Sequence, residues 1–539
     1  MNLIRKVFSG VVMLCLPLLA MGQHQFAALL PMPNGLCIGM GSFQVPSRVT
    51  VKSNLPKGSI CLSVLREILK EQMDVSVVEA GGNPGFELQV NPLLDSDEHY
   101  KITVDTRGVV LEGATDGAVF YALQTFSQML LGDVCATAQR KIKAVQIDDQ
   151  PRFDYRALML DPARHFLPVG DVKHFIDWMA HYKYNVLQLH LTDDQGWRME
   201  IKAYPQLVRK GAFRNPKGGN EGPDNGYYTQ EQLKELVEYA AARNIKIVPE
   251  LDVPGHTAAL LAAYPEWGCP LDGADSVVLG KTDNRMLCAA CEKVYKAFDD
   301  IMEEVASVFT TSRFIHLGGD EAAIERNWGK CGRCRGLMDS LHYEKSSQLM
   351  EYFFSKVLSS VRKYGKEPML WCELDNIYMP ANDYLFPYPT DVALVTWRNG
   401  LTPKCLELTE RYGNRLLMAP GEYAYFDYPQ WKGDFPEYNN WGMPVTSLEK
   451  VYAFDPGYGM PLSRQKHILG VMGTLWGEAI RDIHRATYMA YPRGLALAEA
   501  GWTQMGFRRW ESFRSRMYPN LSDMMKKGVS VRVPFEVAP

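Results

Sequence analysis

Long apolar runs are scarce in this 539-residue chain. The N-terminal one, Val7 to Met21, follows Arg5 and Lys6 and reaches Ala20-Met21-Gly22, small residues at the spacing of a cleavage site. That order predicts a secretory signal peptide over residues 1–22, because the run is short for a bilayer span. No later stretch is long enough to cross a membrane, so no span is expected after cleavage and the product is expected to be exported, periplasmic or secreted. Cysteine is also sparse. Of 11 cysteines, Cys15 lies in the leader, and the rest are too thinly spread to build a disulfide scaffold, although export would allow several to oxidise. Blocks of single-sign charge are missing and the net charge is only −4, which leaves neither a nucleic-acid footprint nor a polybasic membrane patch. A glycine-rich phosphate turn after a first strand is missing too, which argues against a doubly wound dinucleotide-binding sheet. The expected partner is a small or neutral molecule.

What is present is enough apolar residue, 46%, to build more than one core. Residues 23–150 alternate short β-rich runs such as "FELQV" and "GVVLEG" with helical stretches such as "DGAVFYALQTFSQMLLG", which predicts a compact α/β domain. The segment "IDDQPRFDYR" reads as a boundary. From 151 to about 505 the rhythm is an apolar run, a polar loop and an amphipathic helix. Eight such runs can be counted: "YRALMLD", "NVLQLHLTD", "IKIVPELD", "RFIHLGGDE", "EPMLWCE", "VALVTWR", "RLLMAP" leading into "GEYAYFD", and "GVMGTLWGE". Continuous apolar runs are what parallel strands buried on both faces require, so the expected fold is a catalytic (β/α)8 TIM barrel preceded by a smaller α/β domain. Residues 506–539 are expected to be a short C-terminal tail.

Each run ends in a polar or aromatic residue, at the barrel face that carries active sites. The ends include Asp161, Asp193, Asp194, Glu250, Asp252, Asp320, Glu321, Glu373, Trp397, Asp427, Trp476 and Glu478. Solvation explains polar strand ends but not tryptophans. Acids beside flat rings fit a sugar site, where carboxylates bond hydroxyls and move protons while rings cover sugar faces. Asp320 and Glu321 pose a difficulty, because neighbours on an extended strand point to opposite faces. Gly318-Gly319 would let the strand break. Even so, two adjacent acids do not readily flank a scissile bond as an ordinary glycosidase pair does.

The stretch "HLGGDEA" resembles the signature of family 20 glycoside hydrolases, the β-N-acetylhexosaminidases. "PRFDYRALMLDPARHFLPV", "HLTDDQGWRMEI", "YYTQEQLKELVEYAAARNIKIVPELDVPGH", "LWCE", "VTWR" and "LWGEAI" extend the likeness over nearly the whole chain in that family's order. The resemblance implies an exo-acting, retaining enzyme whose nucleophile is the substrate's own 2-acetamido oxygen. Glu321 would then be the general acid and base, and Asp320 would orient the acetamido group. Arg156 would bind the C3 and C4 hydroxyls, with Glu478 and Asp427 in the same pocket. Tyr425 would hydrogen-bond the acetamido oxygen, Tyr423 having the same strand parity, and Trp371, Trp397 and Trp476 would enclose the methyl group. His256 would belong to a hydrogen-bonded wall near the leaving oxygen. The substrate expected is a glycan or oligosaccharide with terminal β-N-acetylhexosamine.

No cofactor and no catalytic metal is expected, although "PELDVPGH" contains ligand-type residues. His190 and His316 read as satisfied buried histidines. "CGRC", Cys331 to Cys334, has half the spacing of a zinc site, but no second half is evident nearby, so a local disulfide or free thiols are expected. Cys269 and Cys288 flank a loop and could pair, with Cys291 leaving the choice open. The intact Asp320-Glu321 pair argues against a decayed barrel that only binds sugar.

Overall fold

The computed structural model describes residues 26–78, 83–213, 224–270, 285–373, 388–434 and 442–537. The expected signal peptide lies outside them. All eight apolar runs form parallel strands: β1 (Tyr155–Leu160), β2 (Val186–Asp193), β3 (Lys246–Leu251), β4 (Phe314–His316), β5 (Glu367–Trp371), β6 (Ala393–Thr396), β7 (Leu416–Met418) and β8 (Ile468–Leu475). The sheet closes on itself, since β1 pairs with β2 from Ala157↔Val186 and with β8 from Gly470↔Tyr155. Every residue of β1 and β2 is buried, as strands covered by helices outside and side chains inside must be. Inward-facing Ala157, Met159, Val248, Met369, Val395 and Met472 fill the barrel. It is a packed core, so chemistry is confined to the loops at its mouth.

The smaller domain is a seven-stranded mixed sheet running from Leu36–Gln44 at one edge to Ser76–Val77 at the other. Tyr100–Val104 and Val109–Gly113 alternate buried and half-buried residues, the pattern of a sheet covered on one face. The helix Asp116–Gly132 provides that cover; the Thr115 hydroxyl accepts from the Ala118 N–H at its start, and its burial on nearly every side reflects the barrel lying against its other face. Asp149 joins the two domains by accepting from Tyr100 Oη (2.6 Å) and Trp502 Nε1 (2.9 Å).

The C-terminal segment differs from a simple tail. Trp510–Lys526 is a helix whose buried Phe513, Arg516, Met517, Asn520, Leu521 and Met524 recur at helical spacing. Arg516 makes a paired contact with the buried Glu499 (2.8 and 2.9 Å), and Asn520 Nδ2 donates to Ala28 O. The chain end is thereby bound to the final barrel helix and to the N-terminal segment. Among the described residues, no helix is long and apolar enough to cross a membrane.

Candidate active site

Strand β4 stops at His316, and the backbone then leaves extended geometry: φ is +64° at Gly318, +98° at Gly319 and +49° at Glu321. Glycine at 318 is forced twice over, because a Cβ there would stand 1.8 Å from Asp252 Oδ1. Gly319 N–H donates to that same Asp252 oxygen (3.1 Å), and Glu321 N–H donates to Glu373 Oε2 (2.8 Å). The break lets both acids face one site. Both reach the same imidazole: His256 Nε2 lies 3.7 Å from Asp320 Oδ2 and 3.8 Å from Glu321 Oε2.

Behind the pair is a network of acids and histidines from β2, β3, the loop after β3 and the end of β4. His190 bridges Asp193 (2.8 Å) and Glu250 (3.0 Å), and His316 lies 3.2 Å from Glu250 on its other side. His256, itself at φ +51°, is 3.4 Å from Asp193. Burial opposes charge on His190 and His256, but the surrounding carboxylates outweigh it and raise both well above the ordinary histidine range. Burial likewise opposes ionisation of Glu250, yet His190 and His316 hold it well below the usual carboxylate range. Glu250 is thus paired with both His190 and His316, whereas Asp252 accepts from Gly319 N–H through Oδ1 and its Oδ2 has no hydrogen-bond partner among the described residues. Burial, reinforced by Asp320, raises Glu321, and burial pushes Glu373 up to about 7.

The aromatic residues form one wall. Trp476 lies 5.6 Å from Trp371 and 6.3 Å from Tyr425 between ring centres, and Trp397 packs on the same group. Trp371 Nε1 is held by Glu250 (2.8 Å). The choice between tyrosines resolves because Gly421–Ala424 is a helical turn, so strand parity does not apply there. Tyr423 stacks on Phe454 (5.0 Å), away from Trp476, whereas Tyr425 turns toward it. Asp427 is buried, its Oδ1 has no hydrogen-bond partner among the described residues, and burial plus the nearby Glu478 raise it well above the usual carboxylate range.

Arg156 is not brought here. It is the second residue of β1, and at about 3.3 Å per residue it lies roughly 13 Å below the strand's C-terminal end. Its guanidinium is buried against the smaller domain, paired with Glu98 at 2.8 and 2.9 Å, and its Nε donates to Lys183 O. Arg164 occupies the expected position instead, in the loop after β1. It contacts Asp161 (3.0 Å) and Asp193 (2.8 Å), lies 3.8 Å from Glu478 and sits over the Trp476 ring at 5.1 Å. The sequence signal was available: Arg164 follows the end of a barrel strand, whereas Arg156 precedes it.

A sequence profile described as "Glycosyl hydrolase family 20, catalytic domain" matches residues 153–505, and one described as "Glycosyl hydrolase family 20, domain 2" matches residues 27–150. The chain belongs to glycosyl hydrolase family 20. It is 39% identical over 440 residues to a beta-hexosaminidase of Akkermansia muciniphila, covering 81% of this chain and 85% of that protein. Against a beta-hexosaminidase of Vibrio furnissii the identity is 31% over 493 residues, covering 88% and 76%. A mutant beta-hexosaminidase of Streptomyces plicatus, solved in complex with product (GlcNAc), matches with a TM-score of 0.79 at 28% identity, over 94% of this chain and 97% of that one. The chain is therefore a glycoside hydrolase of the beta-hexosaminidase class. In this family 20 hydrolase, Glu373 was noted in the sequence only as a strand end. It fixes the Glu321 backbone while Arg398 Nε donates to its other oxygen at 3.0 Å.

Proposed function

We propose that this family 20 hydrolase is exo-acting and retaining, removing terminal non-reducing β-linked GlcNAc or GalNAc by attack of the substrate's own 2-acetamido oxygen. The observation that carries the reading is the state of Asp320. It is buried beside a half-exposed Glu321, and its Oδ1 has no hydrogen-bond partner among the described residues. A buried carboxylate oxygen without a donor is costly unless the substrate brings one, and an acetamido N–H is such a donor.

Asp320 takes that N–H, directs the carbonyl oxygen at the anomeric carbon and offsets the positive charge of the closing ring. Glu321 protonates the leaving oxygen, then removes a proton from the water that opens the ring. Tyr425 donates to the acetamido oxygen and Trp371, Trp397 and Trp476 hold its methyl group. Arg164, Asp427 and Glu478 bind hydroxyls of the same sugar, and His256 keeps the acid pair in register. The GlcNAc in the Streptomyces plicatus complex supports the substrate class. We also propose export, from the leader-like residues 1–22.

The test is turnover of one aryl glycoside carrying N-acetyl, N-fluoroacetyl, N-difluoroacetyl and N-trifluoroacetyl groups. Fluorine withdraws electrons from the attacking oxygen, so kcat should fall progressively. A flat series would contradict attack by that oxygen.

A further inference from the structure

Four cysteines from two separate segments meet away from the catalytic acids. The Sγ atoms of Cys269, Cys288, Cys331 and Cys334 all lie within 4.8 Å of one another. Cys288, Cys331 and Cys334 are buried, and Cys269 is partly covered. We propose that these four thiolates bind one zinc ion, or a similarly thiophilic divalent ion, as a structural site that ties the loop after β3 to the loop after β4.

The spacing between sulfurs supports an ion at the centre. Cys334 Sγ is 3.8 Å from Cys269 Sγ and 3.6 Å from Cys288 Sγ. With Zn–S bonds of about 2.3 Å, the edge of a tetrahedron of sulfurs is about 3.8 Å, whereas a disulfide needs about 2.0 Å. The half-site Cys331-x-x-Cys334 therefore has its second half in Cys269 and Cys288, which are far apart in sequence but adjacent in space. Backbone contacts build that adjacency: Gly268 bridges Leu287 antiparallel, and Cys288 N–H donates to Trp267 O (2.8 Å). Cys291, the other candidate, bonds Glu266 O and stands outside the cluster.

The local charge suits a tetrathiolate. Cys331 caps the helix Gly332–Leu341 at its positive end, and Arg333, anchored on Gly268 O at 2.7 Å, brings a cation to the cluster. Binding needs no redox partner, because each thiol releases a proton as its sulfur bonds the metal.

The ion would hold catalytic elements in place without touching substrate. Leu287 N–H donates to Pro254 O (3.1 Å), two residues before His256, and Trp328 Nε1 donates to Leu287 O (2.8 Å). Asn327 Oδ1 accepts from Met286 N–H (3.2 Å), and Cys331 N–H donates to Asn327 O (2.9 Å). The cluster is thus the far anchor of both loops that carry His256 and the Asp320-Glu321 pair.

The experiment is elemental analysis and native mass spectrometry of the full chain purified without chelator, with thiols counted by alkylation before and after mercurial displacement. One zinc per chain and four thiols exposed only on displacement are expected, and Co²⁺ exchange should give the visible absorption of tetrahedral cobalt thiolate. The Cys331→Ser/Cys334→Ser double variant should lose the metal and show a lower Tm, while Cys291→Ser retains it. Wild-type protein that stays metal-free in added zinc would overturn the proposal, whether its four sulfurs are free or carry the mass loss of two disulfides. Metal retained at full stoichiometry in the double variant would overturn it as well. The wild-type measurements decide the matter even if the double variant does not fold.

Discussion

Glu321 must be protonated to act as an acid, and its surroundings make that possible. Burial raises its pKa and Asp320 raises it further. The alkaline limb of kcat/KM on a substrate with a poor leaving group should therefore lie above the usual carboxylate range. Asp320→Asn removes one raising influence, so the limb should move to lower pH, besides the loss in rate. Glu321→Gln should abolish the limb and cost about 10²–10⁴-fold on such substrates, far less on activated aryl leaving groups. A pH–rate series on the wild type and both variants checks these outcomes. The two arginines separate as cleanly. Arg164→Lys should raise KM about tenfold or more with little change in Tm, because a planar fork between acids is not replaced by an ammonium. Arg156→Ala should leave KM unchanged but destabilise by about 3–5 kcal/mol, since it strands Glu98 opposite a buried gap. Steady-state kinetics and thermal melts on both variants decide which arginine meets substrate.

The element that makes the site is the broken end of β4. Gly318→Ala would drive a Cβ into Asp252 and force L geometry into the left-handed region, a cost of at least about 1–2 kcal/mol before the clash. Expected is a loss of kcat/KM of more than tenfold, because the shift of Asp252 and Gly319 carries Asp320 with it; a variant with wild-type kinetics would contradict this. The barrel strands were legible as apolar runs because both faces of each are covered, and the Asp-Glu pair with its preceding glycines was legible because no ordinary strand end tolerates it. What was not legible depends on position along an element or on meetings in space. Arg156 lies inside β1 and Arg164 in the loop beyond its end, and depth in the barrel tells them apart. The C-terminal helix was missed because polar Arg516 and Asn520 interrupt its apolar face and Pro519 stands inside it. Cys269 and Cys288 pair in space with Cys331 and Cys334 through a bridge between Gly268 and Leu287 that no local spacing announces.

At the scale of the whole molecule, one apolar cluster runs through the smaller domain, the barrel and the C-terminal helix, and buried charged groups pin the parts together across it. Glu98 with Arg156 and Asp149 with Trp502 fix the smaller domain under the barrel, and Glu499 with Arg516 fixes the C-terminal helix. Glu499 is fully buried, so Arg516→Ala should lower the apparent Tm markedly while kcat/KM at low temperature stays near wild type, as melts and parallel assays would show. The assembled scaffold presents one site with two adjacent acids, and the central claim is that the substrate provides the attacking atom. Comparing kcat/KM on an aryl β-N-acetylglucosaminide with that on the same aryl β-glucoside tests it most directly. The account predicts that the glucoside, lacking the 2-acetamido oxygen, is slower by orders of magnitude and leaves no sugar bonded to the protein. Comparable rates, or a sugar ester on any carboxylate, would contradict it.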